Sequence, residues 1–325
     1  MPEIGYKLCS EECGPNDLVK YARMAEERGF TFGLISDHFH PWVDAQGQSP
    51  FVWSVIGAIA HATTRLRVGT GVTCPTVRIH PAIVAQAAAT AAAMMPGRFF
   101  LGLGAGENLN EHIVGGRWPE APVRHERLEE AIEVIQLLFQ GGVQSHHGKH
   151  FTVEKARLYT LPDEPPPIVV AAGGRKSAEL AARKTDGMVG TSPNAGLLGH
   201  FDGAGGRSKP RYGEVTVCWA ESEAAARRTA RERWPISAMD STVLWELPLP
   251  RHFEGVAELV TEDATAEVIT CGPDPARHVQ AIQTYVDAGY THVFVHQVGP
   301  EQEGFMRFYE REVLPQLGRA RKAAA

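Results

Sequence analysis

The chain has 325 residues, of which 43% are hydrophobic and 22% are charged, and its formal net charge is -6. This composition is typical of a globular protein with a large core, and the negative charge argues against nucleic acid as a partner. We expect no export signal and no membrane span. We also expect a reducing, cytoplasmic location, because five cysteines, an odd number, do not fit a disulfide framework.

Strands and helices are predicted to alternate along almost the whole chain. Eight short apolar runs are predicted as strands, at residues 4–8, 31–35, 66–72, 98–104, 167–171, 187–190, 215–219 and 292–295. Helices are predicted between and after them, at residues 15–27, 50–62, 81–95, 124–139, 221–233, 275–288 and 301–317. A hairpin is expected around Gly148, a loop or mobile lid at 196–209, and irregular structure at 235–251.

Eight strands that alternate with helices predict a (β/α)8 TIM barrel rather than an open sheet. No shift in composition marks a second domain, so we expect one domain over residues 1–325, with insertion loops at the C-terminal face. In such a barrel the chemistry lies where the strands end at their carboxyl side.

Polar and titratable residues follow several of the predicted strands. They are Asp37, His38 and Trp42 after the second strand, Val72 and Cys74 after the third, Glu107, Asn108 and Asn110 after the fourth, Gly173 and Gly174 after the fifth, Thr191 and Ser192 after the sixth, and His296 after the eighth. His38 and Glu107 come from neighbouring strand ends, which is the arrangement that general acid–base catalysis needs. A loop whose histidine only bonds nearby backbone is the alternative at His38.

Gly173 and Gly174 open a helix whose N–H groups would suit a phosphate, although an ordinary tight turn explains them equally well. His296 is either a substrate contact or a packed core histidine. We expect no metal site: Cys9 and Cys13 lack zinc-knuckle spacing, and the hairpin histidines, His146, His147 and His150, have no carboxylate or cysteine beside them in the sequence.

Three motifs taken together resemble a known family. They read Ser36-Asp37-His38-Phe39-x-Pro41-Trp42, Gly104-x-Gly106-Glu107-x-Leu109-Asn110-Glu111 and Ala171-Ala172-Gly173-Gly174. This combination is similar to the glucose-6-phosphate dehydrogenases that use coenzyme F420, which belong to the bacterial luciferase-like superfamily of (β/α)8 barrels.

The resemblance implies a role for each matching residue. His38 would take the proton from the substrate hydroxyl, Glu107 would handle a proton at the cofactor, and Trp42 would lie beside the ring at the site of hydride transfer. The implied cofactor contacts are Asp37, Gly71, Val72, Cys74, Ala105, Gly106, Asn110, Gly173, Gly174, Lys176 and Ser177, with a non-proline cis peptide at Gly71–Val72. We expect His38 and Glu107 to face each other across a bound deazaflavin, and the resemblance also implies a homodimer.

The sequence departs from these relatives where they bind the phosphate of the substrate. Relatives use two lysines and an arginine beyond the sixth strand, whereas here Thr191-Ser192 is followed by Pro193-Asn194, and no lysine occurs between Lys209 and Lys322. The arginine position falls at Glu267 or Val268. A desolvated phosphate needs charge-assisted donors, so we predict a non-phosphorylated alcohol or sugar as the substrate.

Thr191, Asn194 and His296 are the predicted substrate contacts, beside apolar residues such as Trp234 and Trp245. Three alternatives stay open. Arg211 or Arg251 would rebuild a phosphate site in a glucose-6-phosphate dehydrogenase. The chain would otherwise be an FMN-dependent luciferase-like monooxygenase, or a non-catalytic protein that binds F420.

Overall fold

The computed structural model describes residues 2–317 of the chain. Its strands, in chain order, are β1 (Glu3–Leu8), β2 (Phe32–Ile35), β3 (Arg67–Thr70), β4 (Phe99–Leu103), β5 (Gln144–His147), β6 (Thr152–Ala156), β7 (Ile168–Ala171), β8 (Gly187–Gly190), β9 (Arg211–Cys218), β10 (Thr270–Cys271) and β11 (His292–Gln297).

Helices separate these strands. The α-helices are α1 (Pro15–Glu27), α2 (Val52–Ala62), α3 (Pro81–Met94), α4 (Asn108–Glu111), α5 (Ala121–Phe139), α6 (Arg175–Lys184), α7 (Ala195–Phe201), α8 (Glu223–Arg233), α9 (Ser241–Glu246), α10 (Pro250–Ala257), α11 (Glu262–Val268), α12 (Pro275–Ala288) and α13 (Gln302–Phe308). Short 3-10 helices cover His112–Val114 and Pro235–Ala238, and π-helical turns cover Asp202–Gly206 and Tyr309–Val313.

Eight parallel strands close into a barrel, which confirms the predicted (β/α)8 fold. Their order is β1, β2, β3, β4, β7, β8, β9 and β11, and β11 returns to β1 with Glu3 opposite His292. Strand β10 adds two residues to the edge of β9, and β5 and β6 form a separate antiparallel hairpin. The single domain over residues 1–325 stays a prediction, since residue 1 and residues 318–325 lie outside the described part.

Large aromatic side chains fill the interior near the amino ends of the strands. Phe32, Phe100, Tyr212 and Phe294 form this cluster, in which the rings of Phe100 and Tyr212 stack at 5.2 Å. Gly69 is required beside them, because a Cβ at that position would overlap the ring of Phe100. With the amino end packed in this way, the carboxyl end is the open mouth of the barrel.

Two segments are more regular than the sequence predicted. Most of the segment 196–209 is not a loop, because α7 and the π-helical turn that follows it extend to Gly206. Leu197, Leu198 and Phe201 are buried on one side of α7, and the side chain of Asn194 caps the helix. The many glycines in this segment had favoured a loop. Residues 235–251 are likewise mostly helical, and α10 and α11 were missed.

None of the helices within residues 2–317 combines the length and the apolar character that crossing a membrane requires.

Candidate active site at the carboxyl ends of the strands

His38 lies three residues beyond the end of β2, between two carboxylates. Its Nε2 is 3.8 Å from Oε2 of Glu107, and its Nδ1 is 3.4 Å from Oε1 of Glu11. The predicted pairing of His38 with Glu107 therefore exists, but the two groups lie next to each other. The expectation that they flank a three-ring system is wrong for this geometry, since no ring system fits between atoms 3.8 Å apart.

Glu11 is the main residue that the sequence analysis missed. It is buried just beyond the end of β1, where its Oε2 accepts hydrogen bonds from Ser36 Oγ at 2.5 Å and from Cys9 Sγ at 3.2 Å. Burial opposes its ionisation, but the nearby His38 and Lys7 outweigh burial and hold the pKa of Glu11 below its usual range. The rule that chemistry follows strand ends, applied to the first strand, would have found it.

Lys7 and Glu214 form a buried ion pair beneath this carboxylate. Lys7 Nζ lies 2.8 Å from Glu214 Oε2, and the two side chains are 8% and 11% exposed. Burial works against both charges, yet the attraction between them prevails: the pKa of Lys7 rises to about 12 and that of Glu214 falls to about 2. Both groups are therefore charged at neutral pH.

Trp42 packs against the imidazole of His38, with ring centroids 5.2 Å apart. The ring of Phe253 on α10 also contacts the indole, in a perpendicular arrangement with the ring centroids 5.2 Å apart. The indole is nearly buried, so its position relative to His38 is fixed by packing.

Asn110 connects the loop that carries His38 to Glu107. Its Oδ1 accepts hydrogen bonds from the backbone N–H groups of Phe39 and His40, at 2.9 and 3.2 Å, and its Nδ2 donates to Glu107 Oε2 at 3.1 Å. Asn110 was predicted as a cofactor contact. In this structure its amide is buried and bonded to the protein, and it positions Glu107.

Asp37 is also buried and engaged by protein groups. Arg78 Nη2 donates to Asp37 Oδ1 at 2.9 Å, and Thr73 Oγ1 donates to Oδ2 at 2.7 Å. Arg78 also lies 3.6 Å from the carboxylate of Glu111, whose pKa burial raises to about 7. Arg78 and Glu111 brace the segment after β3 against α4. Glu111 stands in the second motif but was given no role, and Arg78 was not singled out.

Val72 follows β3, and its peptide bond with Gly71 is cis, as the resemblance implied. A Cβ at Gly104 would lie 2.6 Å from Val72 Cγ2, so the glycine on the neighbouring strand end makes room for this side chain. Cys74 is buried close by, while Ala105 and Gly106 form a half-buried turn after β4.

The start of α6 is open to solvent. Gly173, Gly174 and Lys176 are exposed there, whereas Ser177 is buried and its hydroxyl bonds the backbone of Gly174. Trp245 of α9 lies above the first glycine, since a Cβ at Gly173 would be 3.6 Å from its Cζ2.

The three predicted substrate contacts have different environments. Thr191 and Asn194 are exposed after β8, and the side chain of Asn194 accepts from Leu197 N at 2.9 Å as a helix cap. His296 is fully buried with Trp234 at 4.3 Å from its ring, so it is covered by the protein itself.

Two arginines were considered as substitutes at a phosphate site. Arg211 begins β9, at the amino end of the barrel and away from His38, and it is engaged by Asp202 at 3.0 Å and by the carbonyl of Gly289. It cannot serve as a substitute there. Arg251 is exposed on α10, the helix that also carries Phe253.

The hairpin histidines have carboxylate neighbours that the sequence did not indicate. His146 pairs with Glu130 at 3.1 Å and His150 with Glu126 at 3.2 Å, both from α5, and His147 lies 3.4 Å from Glu154. Each imidazole meets a different carboxylate. The contacts of His146 and His150 fasten the hairpin to α5, whereas that of His147 with Glu154 of β6 lies within the hairpin.

Comparison with known proteins places this geometry in context. A model of the family described as "Luciferase-like monooxygenase" matches residues 3–292. An "F420-dependent glucose-6-phosphate dehydrogenase" of Microbacterium testaceum is 35% identical, with 97% of each chain covered. An "F420-dependent hydroxymycolic acid dehydrogenase" of Mycobacterium tuberculosis is 37% identical, over 97% of this chain and 88% of its own.

Solved structures show the same likeness. An "F420-dependent secondary alcohol dehydrogenase in complex with an F420-acetone adduct" superposes with a TM-score of 0.90 at 28% identity, covering 97% of this chain and 99% of its own. The F420-dependent tetrahydromethanopterin reductase of Methanopyrus kandleri, at 21% identity and a TM-score of 0.78 with the same coverage, shows the fold alone.

Proposed function

This chain belongs to the luciferase-like monooxygenase family, and we propose that within it the protein is a coenzyme F420-dependent dehydrogenase that acts on CH–OH groups. The observation that carries the proposal is the imidazole of His38, held between Glu11 and Glu107 with Trp42 packed on it. The names of the F420-dependent relatives support the cofactor.

Several residues fit a deazaflavin cofactor. Val72 projects beside Gly104, where any side chain on the neighbouring strand end would block it. The backbone amides of Gly173, Arg175 and Lys176, which are exposed residues at the amino end of α6, would hold a phosphodiester. The half-buried turn of Ala105 and Gly106 offers backbone groups between these two places.

The chemistry divides between cofactor and protein. The deazaflavin supplies a hydride acceptor when it is bound. His38 accepts the hydroxyl proton through Nε2, because its Nδ1 faces Glu11, whose negative charge stabilises the resulting imidazolium. Glu107, fixed by Asn110, would handle a proton at the cofactor. Trp42 keeps water from the side of the imidazole that it covers.

The substrate that we propose is a non-phosphorylated alcohol or sugar. The rim after β8 offers Thr191, Ser192 and Asn194 and no cation, and Arg211 is committed at the other end of the barrel. A phosphate in this place would lack the charge-assisted donors that it requires. Thr191 and Asn194 offer neutral hydrogen-bonding groups, which suit hydroxyls.

The test is a screen of purified protein with oxidised F420 against simple alcohols, free sugars and glucose 6-phosphate, read as loss of the absorbance of oxidised F420. We expect turnover with at least one non-phosphorylated alcohol or sugar, and far weaker turnover with glucose 6-phosphate. Equal or better activity on glucose 6-phosphate would overturn the substrate class and direct attention to Arg251.

A parallel titration with F420 and with FMN tests the cofactor. F420 should bind and FMN should not. Tight binding of FMN with none of F420 would overturn the proposal in favour of a monooxygenase, and F420 binding with no turnover of any substrate would favour a protein that only binds the cofactor.

We also propose that the protein is a homodimer that pairs through α2 and α3. Phe51 and Ile83, 58% and 57% exposed, flank the small residues of α3 on this face, and Met94 is exposed nearby. A charged substitution, Ile83→Glu, should convert dimer to monomer in sedimentation experiments. An unchanged assembly would exclude this face.

A further inference from the structure

Three side chains with different donor atoms meet at the carboxyl ends of β1 and β11. A sulfur from Cys9, a carboxylate oxygen from Glu12 and a ring nitrogen from His296 all lie within 4.8 Å of one another. All three side chains are almost completely buried. None of the three has a role in the proposed reaction.

His296 lacks the partners that a buried imidazole normally has. Its ring is fully buried, Nδ1 has only the carboxylate of Glu214 near it, and Nε2 makes no hydrogen bond to any residue in the described part of the chain. Nε2 is 4.0 Å from Glu12 Oε2, and Nδ1 is 3.5 Å from Glu214 Oε1. Buried polar atoms are nearly always hydrogen-bonded or bound to an ion, so this ring points to a missing partner.

The surroundings of His296 orient it toward the cluster. Glu214 faces Nδ1 and is itself fixed by Lys7 at 2.8 Å, which leaves Nε2 directed at Glu12. A carboxylate behind a histidine is the common second layer of metal sites, where it sets the tautomer and the ring orientation. The indole of Trp234 fixes the ring plane from the side, at 79°.

We propose that Cys9, Glu12 and His296 bind one divalent cation of the zinc class. A sulfur, a nitrogen and an oxygen ligand together favour Zn²⁺ or Co²⁺ over the hard cations Mg²⁺ and Ca²⁺. With the thiol and the carboxyl deprotonated, their two negative charges balance the charge of the ion. Buried charge is tolerated when it is compensated in this way.

The geometry requires only a small adjustment. Tetrahedral zinc with ordinary bond lengths places its ligand atoms about 3.3 to 3.7 Å apart, so the cluster must contract by about 1 Å. Gly299 N lies 3.2 Å from both oxygens of Glu12 and holds that carboxylate in place. Cys9 would exchange its contact with Glu11 for the metal.

This site is distinct from the proposed active site, although it adjoins it. Glu11 stands between Cys9 and Glu12 in the sequence but turns toward His38. A cation here would tie the end of β1 to the end of β11. Sequence spacing predicted no metal site because it paired Cys9 with Cys13, whereas closure of the barrel brings Cys9 to His296.

The test is a titration of metal-free protein with Co²⁺ in the absence of F420 and substrate. Wild type should bind one equivalent with the absorption bands of thiolate-bound, tetrahedral cobalt, and Zn²⁺ should displace it. The variants C9S and H296Q should bind at least about 100-fold more weakly and lose those bands, since each removes one ligand. The matched control C13S, which removes a neighbouring buried thiol, should behave as wild type.

Thermal unfolding gives a second reading. Zn²⁺ should raise the Tm of wild type and C13S, but not that of C9S or E12Q, because only an ion bound to the folded state stabilises it. If H296Q does not fold, the binding and unfolding data of C9S and E12Q still test the proposed site. The proposal is overturned if no equivalent of Co²⁺ binds, or if C9S and E12Q bind as wild type does, as they would if the hairpin histidines were the site. Neither reading depends on F420 turnover.

Discussion

The two sides of the barrel mouth are built very differently. On the side of β1, β2 and β4, which we call the His38 side, Glu11, His38 and Glu107 are joined through hydrogen bonds and ion pairs to buried groups. On the side of β8, the Thr191 side, Thr191 and Asn194 are exposed on a loop that leads into α7. The difference indicates that reaction chemistry is fixed on the first side, while substrate choice is set on the second.

The largest stability effect should come from breaking the ion pair beneath the His38 side. Lys7→Met leaves Glu214 buried without its cation, so the free energy of unfolding should fall by about 3 to 5 kcal/mol. The control is Lys20→Met, whose partner Glu303 is half-exposed, and which should cost less than about 1 kcal/mol. Equal losses in the two variants, measured by denaturant unfolding, would contradict a special role for the buried pair.

Glu111 should make stability depend on pH. Its folded pKa of about 7 lies above the value of an unfolded carboxyl, so its contribution is complete below about pH 4.5 and is lost as the pH rises through 7. The free energy of unfolding should therefore drop between about pH 5 and pH 8, by up to about 3 kcal/mol from this group. Glu111→Gln should remove that part of the slope, and an unchanged slope would show that another group carries it.

Glu11→Gln should weaken catalysis without removing the base. The variant keeps the hydrogen bond from Ser36 but loses the negative charge 3.4 Å from His38, so kcat should fall about 10- to 100-fold. The acidic limb of the pH profile should move to lower pH, a change that mere loosening of the fold would not produce. Glu27→Gln on α1, which also removes one carboxylate, should leave the profile as in wild type.

The smallest effect is expected on the Thr191 side. Thr191→Ala should raise KM for the best substrate about threefold with kcat nearly unchanged, because it removes one neutral contact to a ground state. Thr284→Ala, the same change at an exposed position of α12, is the matched control. A fall in kcat as large as that of Glu11→Gln would erase the distinction between the two sides.

The sequence predicted the elements that alternate regularly and the residues that follow strands. All eight barrel strands were found. His38, Trp42 and Glu107 lie close together as predicted, because the carboxyl ends of all the strands lie at one end of the barrel. The helix α7 was missed because glycines concealed the burial of Leu197 and Phe201.

Contacts between distant strands were beyond the sequence. The proximity of Glu11 to His38, or of Cys9 to His296, depends on which strands become neighbours and where their ends lie in register. Burial could not be predicted either. Asp37 and Asn110 lie in the motifs and were predicted as cofactor contacts, but in the structure their side chains form hydrogen bonds with protein groups. Neither register nor burial can be counted from residue spacing.

The most direct test of the account compares His38→Ala with His40→Ala in a single turnover with oxidised F420 and the best alcohol or sugar. His40 is two residues away, with its ring bonded to the carbonyl of Leu109 at 2.9 Å and stacked on His112. We predict that His38→Ala slows loss of the oxidised cofactor about 10²- to 10⁴-fold while F420 still binds, and that His40→Ala reacts nearly as wild type does. A His38→Ala protein that turns over at the wild-type rate would contradict the account.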